Sequence, residues 1–273
     1  MRAPSVRTTR FEGSAPRWRD RLTALSRPLY FFGGNGHADI RVQEARSIGL
    51  REGWFDLINV PYPSARSFDD LLEQLGSSEW ATRPEGGWIY ATGIGALVAL
   101  SLRSKGAIRD IPLVLQGGVL WGLERRWFPK IMRIGPMPRL LASAFRSSWI
   151  RAHFVDKHFR STPSPEFVEQ FFDGYDDADA FANWFEWLRP DLLRRLENAF
   201  RSDPSALDNI RVWWGEKDTV VGPEELRVTQ SALGVDWPLE TFPTWGHYPM
   251  IDDPLTWSRE VGLVLASAEA VSR

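Results

Sequence analysis

GGWIYATGIGALVALSL, residues 86–102, is the stretch on which the fold turns. Trp88 to Ala91 read as a short buried strand, and Ala96 to Leu102 are apolar enough to form a buried helix face. Only Thr92, Gly93, Ile94 and Gly95 are left to reverse the chain between them. A strand that turns this sharply into a packed helix needs small residues where the two backbones meet. Ala91, Gly95 and Ala96 supply them.

Upstream of this turn the chain repeats the same grammar. Leu29 to Phe32 are continuously apolar, as in a strand buried on both faces of a parallel sheet, and they run into the Gly-rich Phe32-Gly33-Gly34-Asn35-Gly36. Ala38 to Leu50 can follow as a helix, and Phe55 to Pro61 form the next strand. Ser67 with Asp69 and Asp70 opens another helix as an N-cap with an acidic first turn. Ile111 to Gln116 make the strand after the central helix. Strand and helix alternate, which predicts βαβ units and a parallel sheet, an α/β fold.

After Gly117-Gly118 the alternation stops. Residues 119–206 read as helical throughout, broken at Pro129, Pro136, Pro138, Pro163, Gly174 and Pro190, with Ser164-Pro165-Glu166 as a good helix start. Their basic first half and the acidic patch at Asp173, Asp176, Asp177 and Asp179 read as a solvated outer face. Alternation then resumes, with strands at 210–215 and 239–243 and helices at 223–233 and 254–268.

Residues 91–95 resemble the nucleophile elbow of the α/β-hydrolase superfamily, a small-x-nucleophile-x-small pattern whose middle residue stands above the sheet. On that pattern Ala91-Thr92-Gly93-Ile94-Gly95 puts Gly93 where a nucleophilic Ser, Cys or Asp would stand. Gly has no side chain with which to attack. A register shifted to make Thr92 the nucleophile sets Tyr90 and Ile94 at the small positions and brings large side chains into the close contact. Three further stretches are similar to the superfamily in the expected order. Trp214-Gly215-Glu216-Lys217-Asp218 looks like the strand end that carries the acid, making Asp218 the candidate. Trp245-Gly246-His247-Tyr248-Pro249-Met250, followed by Asp253-Pro254, looks like the loop that carries the histidine. The Gly33-Gly34-Asn35 loop would supply one oxyanion-hole N–H from Gly34 or Asn35, and Ile94 the other.

The resemblance implies a mostly parallel sheet flanked by helices, with residues 1–118 and 207–273 as core. Residues 119–206 would then be a helical cap inserted after the sixth strand of the family's count. It implies an acid–base pair, Asp218 and His247, with nothing beneath it to activate. The expected activity is non-hydrolytic proton transfer on a small apolar carbonyl or acyl compound, with no cofactor and no serine-esterase activity. A noncatalytic ligand-binding or protein-interaction role on the same fold is the alternative. A hydrolase using Thr92 or an activated water is a second.

Composition sets the outer limits. The 273 residues hold no Cys, which excludes disulfides, thiolate catalysis and Cys-based metal sites and fits a cytoplasmic protein. A net charge of −2 gives no overall electrostatic case for nucleic acid, and no apolar run approaches the ~20 residues of a membrane span. A small-molecule ligand is the expected partner, with a protein partner also open, and no metal is expected. The first 28 residues carry seven Arg and two acids; they read as an exposed leader, with a transit segment as the alternative. The fourteen Trp read first as large core residues and second as walls of a pocket.

Overall fold

The computed structural model describes residues 27–34, 39–82, 87–118, 120–175 and 177–272. Their strands are β1 (Arg27–Phe32), β2 (Phe55–Asn59), β3 (Trp88–Thr92), β4 (Leu113–Gln116), β5 (Ile210–Gly215) and β6 (Leu239–Phe242). They form one sheet in the order β2-β1-β3-β4-β5-β6, with every neighbouring pair parallel. A parallel neighbour requires a crossover, and helices supply it. These are α1 (Gln43–Arg51), α2 (Phe68–Gly76) and α3 (Ile94–Ser104) in the first half.

The wholly buried strands β3 and β4 follow from helices covering both faces of the sheet. The chain goes from β1 to β2 on one side, then crosses back to β3 on the other. The loops leaving β1 and β3 therefore diverge, and such a switch point opens a crevice beyond the carboxyl ends of the strands.

Between β4 and β5 lie α4 (Trp127–Met132), α5 (Met137–Ala144), α6 (Ser148–His158), α7 (Pro165–Asp173), α8 (Ala178–Trp187) and α9 (Pro190–Ser202). Counted along the described residues, this run follows the fourth strand. Ser164 caps α7 as its sequence predicts, its hydroxyl accepting from Phe167 N–H at 3.2 Å. After β5 come α10 (Pro223–Leu233), then β6, α11 (Pro249–Asp252) and α12 (Pro254–Ser272).

One face of the sheet packs α2, α3 and α9 through Leu71, Leu97, Leu100 and Phe200. The other packs α1 and α12 around Trp54, Tyr90, Trp213, Trp245 and Trp257. There the Trp257 indole N–H donates to the Tyr90 hydroxyl at 2.9 Å, so a buried polar group is satisfied inside the aromatic layer. Many of the tryptophans are core residues, as the first reading expects. A third cluster, Phe145, Phe171, Phe172, Tyr175 and Phe181, holds α5, α7 and α8 together.

Several boundaries differ from the sequence reading by a few residues, β4 beginning at Leu113 instead of Ile111 among them, and two have a clear physical reason. β2 ends at Asn59 instead of Pro61, because Pro61 has no N–H for a ladder. The first helix begins at Gln43 after a 3₁₀ turn at Asp39–Arg41, with Val42 giving no side-chain cap.

Candidate active site

Gly93 sits between β3 and α3 with φ 52° and ψ −123°. Residues with a Cβ take that conformation at a cost of ~1–3 kcal/mol, so glycine fits it on backbone grounds. Space is not the obstacle: a Cβ at position 93 would meet only Gly34 Cα, at 3.5 Å. The tight contact falls two residues later. A Cβ on Gly95 would lie 2.2 Å from the Phe32 carbonyl oxygen and 2.6 Å from that of Gly33, so α3 touches the end of β1 backbone to backbone. Thr92 is the last residue of β3, buried and paired with Gln116.

The loop after β1 meets the same turn. A Cβ built on Gly34 would stand 4.0 Å from both Gly93 Cα and Ile94 N, so the two backbones expected to donate N–H groups face each other. Asn35, the other candidate donor, lies outside the described residues.

Asp218 closes the turn after β5, its N–H bonded to Gly215 O at 3.0 Å. One carboxylate oxygen accepts from the Val220 and Val221 N–H groups at 2.8 and 3.0 Å. The other accepts from His247 Nδ1 at 3.0 Å. In the neutral ring this sets the proton on Nδ1 and leaves Nε2 as an acceptor; in the protonated ring the same contact is an ion pair. The Asp218 side chain is 1% exposed and that of His247 12%. Burial alone would raise the Asp218 carboxyl. The charge and hydrogen bond of His247, with the two backbone donors, outweigh it and hold the group below the usual carboxylate range.

The His247 loop is pressed onto the end of β5. A Cβ on Gly215 would lie 2.4 Å from the Trp245 carbonyl oxygen, so histidine and aspartate are set by backbone contact.

Sheet register relates this pair to the turn at Gly93. Thr92 pairs with Gln116, so Gly93 and Gly117 leave adjacent strand ends. Gly117 also has a positive φ, 54°, and a Cβ on it would come within 3.2 Å of Asp218 Oδ2 and 3.4 Å of His247 Nδ1. Gln116 is fully buried, and its amide donates to the His247 carbonyl at 3.4 Å. Sequence reasoning passed over Gln116 and took Gly117-Gly118 only as the place where alternation ends. The glycine pair after a buried strand was the available signal.

His158 is the other residue the sequence undervalued. Nothing around it in the chain marks it, yet α6 brings its ring to 6.4 Å from that of His247. It stacks on Phe154 with ring centres 3.9 Å apart, and its Nδ1–H donates to the Phe154 carbonyl at 2.8 Å. Burial pushes its pKa down to about 4, against that hydrogen bond, so it is neutral near pH 7. The α6 end is tied to the core beside the pair: Thr219 donates to Lys157 O at 3.0 Å, and Asp252 accepts from Arg160 N–H at 2.8 Å. Phe159 stacks on Tyr248, the residue after His247, at 5.3 Å.

A cavity of about 490 Å³ opens beyond β2 under α8. Asp39, Asn59, Tyr62, Asp177, Phe181 and Trp184 are among its walls; Gly93, Asp218 and His247 are not. Its link to the turn is Tyr62, whose hydroxyl donates to Gly33 O at 2.8 Å. Among the described residues no cluster of His, Asp and Glu is placed to hold a metal ion, and no helix is long and apolar enough to cross a membrane.

A scan against family models finds no match, and a comparison with curated proteins finds none either. Solved structures do match. Haloalkane dehalogenase DbeA from Bradyrhizobium elkani superposes with a TM-score of 0.67 at 14% identity, over 91% of this chain and 92% of that one. A protein described as a lipase from Acinetobacter baumannii gives 0.62 at 14%, over 90% and 85%. A membrane phospholipase A described as a bacterial virulence factor gives 0.59 at 15%, over 89% and 80%. At such identity the likeness is one of architecture: this chain has the α/β-hydrolase fold.

Proposed function

We propose that this protein is a non-hydrolytic member of its fold, using His247 as an acid–base group, oriented by Asp218, on a small apolar carbonyl or acyl compound. The described residues within 1–118 and 207–273 act as its core, and the helices of 119–206 act as a cap over the site. The observation that carries the reading is the combination of an intact Asp218–His247 hydrogen bond with a glycine at the turn beside it.

An imidazole whose Nδ1–H is held by a buried carboxylate presents Nε2 in the tautomer and orientation that abstracting a proton requires. The N–H groups of Gly34 and Ile94 offer charge stabilisation for the oxygen of an enolate or alkoxide. With no hydroxyl at position 93 there is no acyl-enzyme, and the space is left to the substrate or to a water.

A second reading, ligand binding without catalysis, is favoured by the cavity at Asp39, Tyr62 and Trp184, whose walls exclude the His247 pair.

Short-chain aryl esters separate these. The wild-type protein is expected to give no turnover. Gly93→Ser is expected to raise ester hydrolysis at least ~10³-fold above background, and His247→Ala in that variant to abolish the gain. A folded Gly93→Ser protein that stays silent would mean the donors and the imidazole are not aligned, leaving the ligand-binding reading. Wild-type turnover that disappears in His247→Ala would instead establish a hydrolase working through water or Thr92.

A further inference from the structure

The surface of the helical run departs from the rest of the chain in charge and in exposure. Residues 125–155 contain seven Arg and Lys and no acidic residue, although the whole chain is net −2. Among the described residues, the large hydrophobics more than half exposed are Trp127 (71%), Ile134 (60%), Leu140 (57%), Trp149 (71%) and Leu255. Four of these five fall within that one basic segment. Scattered singly, such residues are ordinary; concentrated together with like charge, they mark a contact surface.

Packing explains which side faces out. α4 buries Pro129 and Met132, which turns Trp127, Phe128 and Lys130 outward. α5 buries Pro138 and Ala142, leaving Arg139 and Leu140 exposed. α4 and α5 contact each other, and α6 begins four residues after the end of α5. α6 has no fully buried residue: Ile150, Phe154 and Val155 pack half-buried against the third cluster, and Trp149 is left on the outer side. Some of the charges are already engaged. Arg126 pairs with Glu225, Arg139 with Asp179, and Arg151 donates to Phe145 O. Arg125, Lys130 and Arg146 have no ion-pair partner among the described residues.

We propose that the α4–α6 face docks on the surface of an anionic lipid bilayer, with Trp127, Ile134 and Leu140 seated at the headgroup level and Lys130 and Arg146 on the lipid phosphates. Trp with aliphatic residues and interspersed Lys and Arg is the composition of an interfacial segment. Charge complementarity chooses an anionic surface, which attracts each nearby basic residue. Nucleic acid would use the charges but not Ile134 and Leu140, so the exposed aliphatics decide for lipid. This inference is independent of the chemistry assigned to His247.

The test is co-sedimentation of the full chain with vesicles of phosphatidylcholine containing ~30% phosphatidylserine, against pure phosphatidylcholine. Binding is expected at low salt, about tenfold or more weaker to the neutral vesicles and in high salt. Trp127→Ala/Leu140→Ala and Lys130→Glu/Arg146→Glu are each expected to weaken it about tenfold. These side chains are exposed, and circular dichroism will report that both variants are folded. Absence of binding overturns the proposal. So does wild-type binding by both variants, which would transfer the attraction to the Arg-rich first 28 residues. Loss on charge reversal with no loss in the apolar variant also overturns it, and would mark an acidic protein or nucleic acid as the partner.

Discussion

Gly95→Ala is expected to destabilise the protein by about 3 kcal/mol or more, a larger effect than a surface substitution produces. The added methyl group would lie 2.2 Å from one carbonyl oxygen of the β1 end and 2.6 Å from the next. Both are backbone atoms at the buried end of β1, so neither can swing away as a side-chain tip can. Relief requires α3 to lift from β1, and α3 carries the buried Ala96, Leu97, Val98 and Leu100. Gly93→Ala provides the contrast. There the new methyl group meets only an ordinary 3.5 Å contact, and the cost is the ~1–3 kcal/mol of a strained φ. Urea unfolding of the two variants at neutral pH measures the difference. Equal stabilities would mean the helix does not approach β1 as described.

Asp218→Ala should cost about 3 kcal/mol at pH 7, because it strips acceptors from three donors at once. The Val220 and Val221 N–H groups and the His247 Nδ1–H all bond to this carboxylate. Asp218→Asn keeps one oxygen for the two amides but sets an N–H against the imidazole N–H, so a loss of about 1–2 kcal/mol is expected. In the Gly93→Ser background the same Asn substitution should lower ester kcat by ~10³–10⁴, through the wrong imidazole tautomer. The pH dependence has a definite sign. A carboxyl held low in the folded protein contributes stability above its ordinary range and loses it as pH falls through the depressed value. The deficit of Asp218→Ala relative to wild type should therefore be complete at pH 7 and shrink in strong acid. A deficit unchanged down to pH ~2 would separate Asp218 from the charged pair.

The parallel sheet was legible because its inner strands β1, β3, β4 and β5 are buried on both faces along most of their length and so read as apolar runs. The turn at 91–95 was legible for a different reason: close backbone approach leaves small residues in sequence, and Gly95 and Ala96 are where the structure brings elements together. Asp218 and His247 were named together from the resemblance of their two loops, each a short turn after a strand, and the structure joins their side chains by a hydrogen bond. His158 was not, since its place depends on how α6 folds back over the core, a long-range contact with no local imprint. Gln116 and Gly117 were missed for a related reason. Their role comes from lying beside Thr92 and Gly93 on the neighbouring strand, and register is not written in either strand alone. The basic, Trp-bearing face of α4–α6 was read from sequence as a solvated exterior; the exposures of Trp127, Ile134, Leu140 and Trp149 distinguish it from one.

The central claim is that a working acid–base pair stands beside a position with no nucleophile, and intact-mass measurement after treatment with a fluorophosphonate tests it most directly. Such a reagent phosphonylates a hydroxyl activated by a neighbouring imidazole. Wild-type protein is expected to keep its mass, and Gly93→Ser to gain one adduct that His247→Ala removes. An adduct on the wild-type chain, at Thr92 or any other hydroxyl beside His247, would contradict the account.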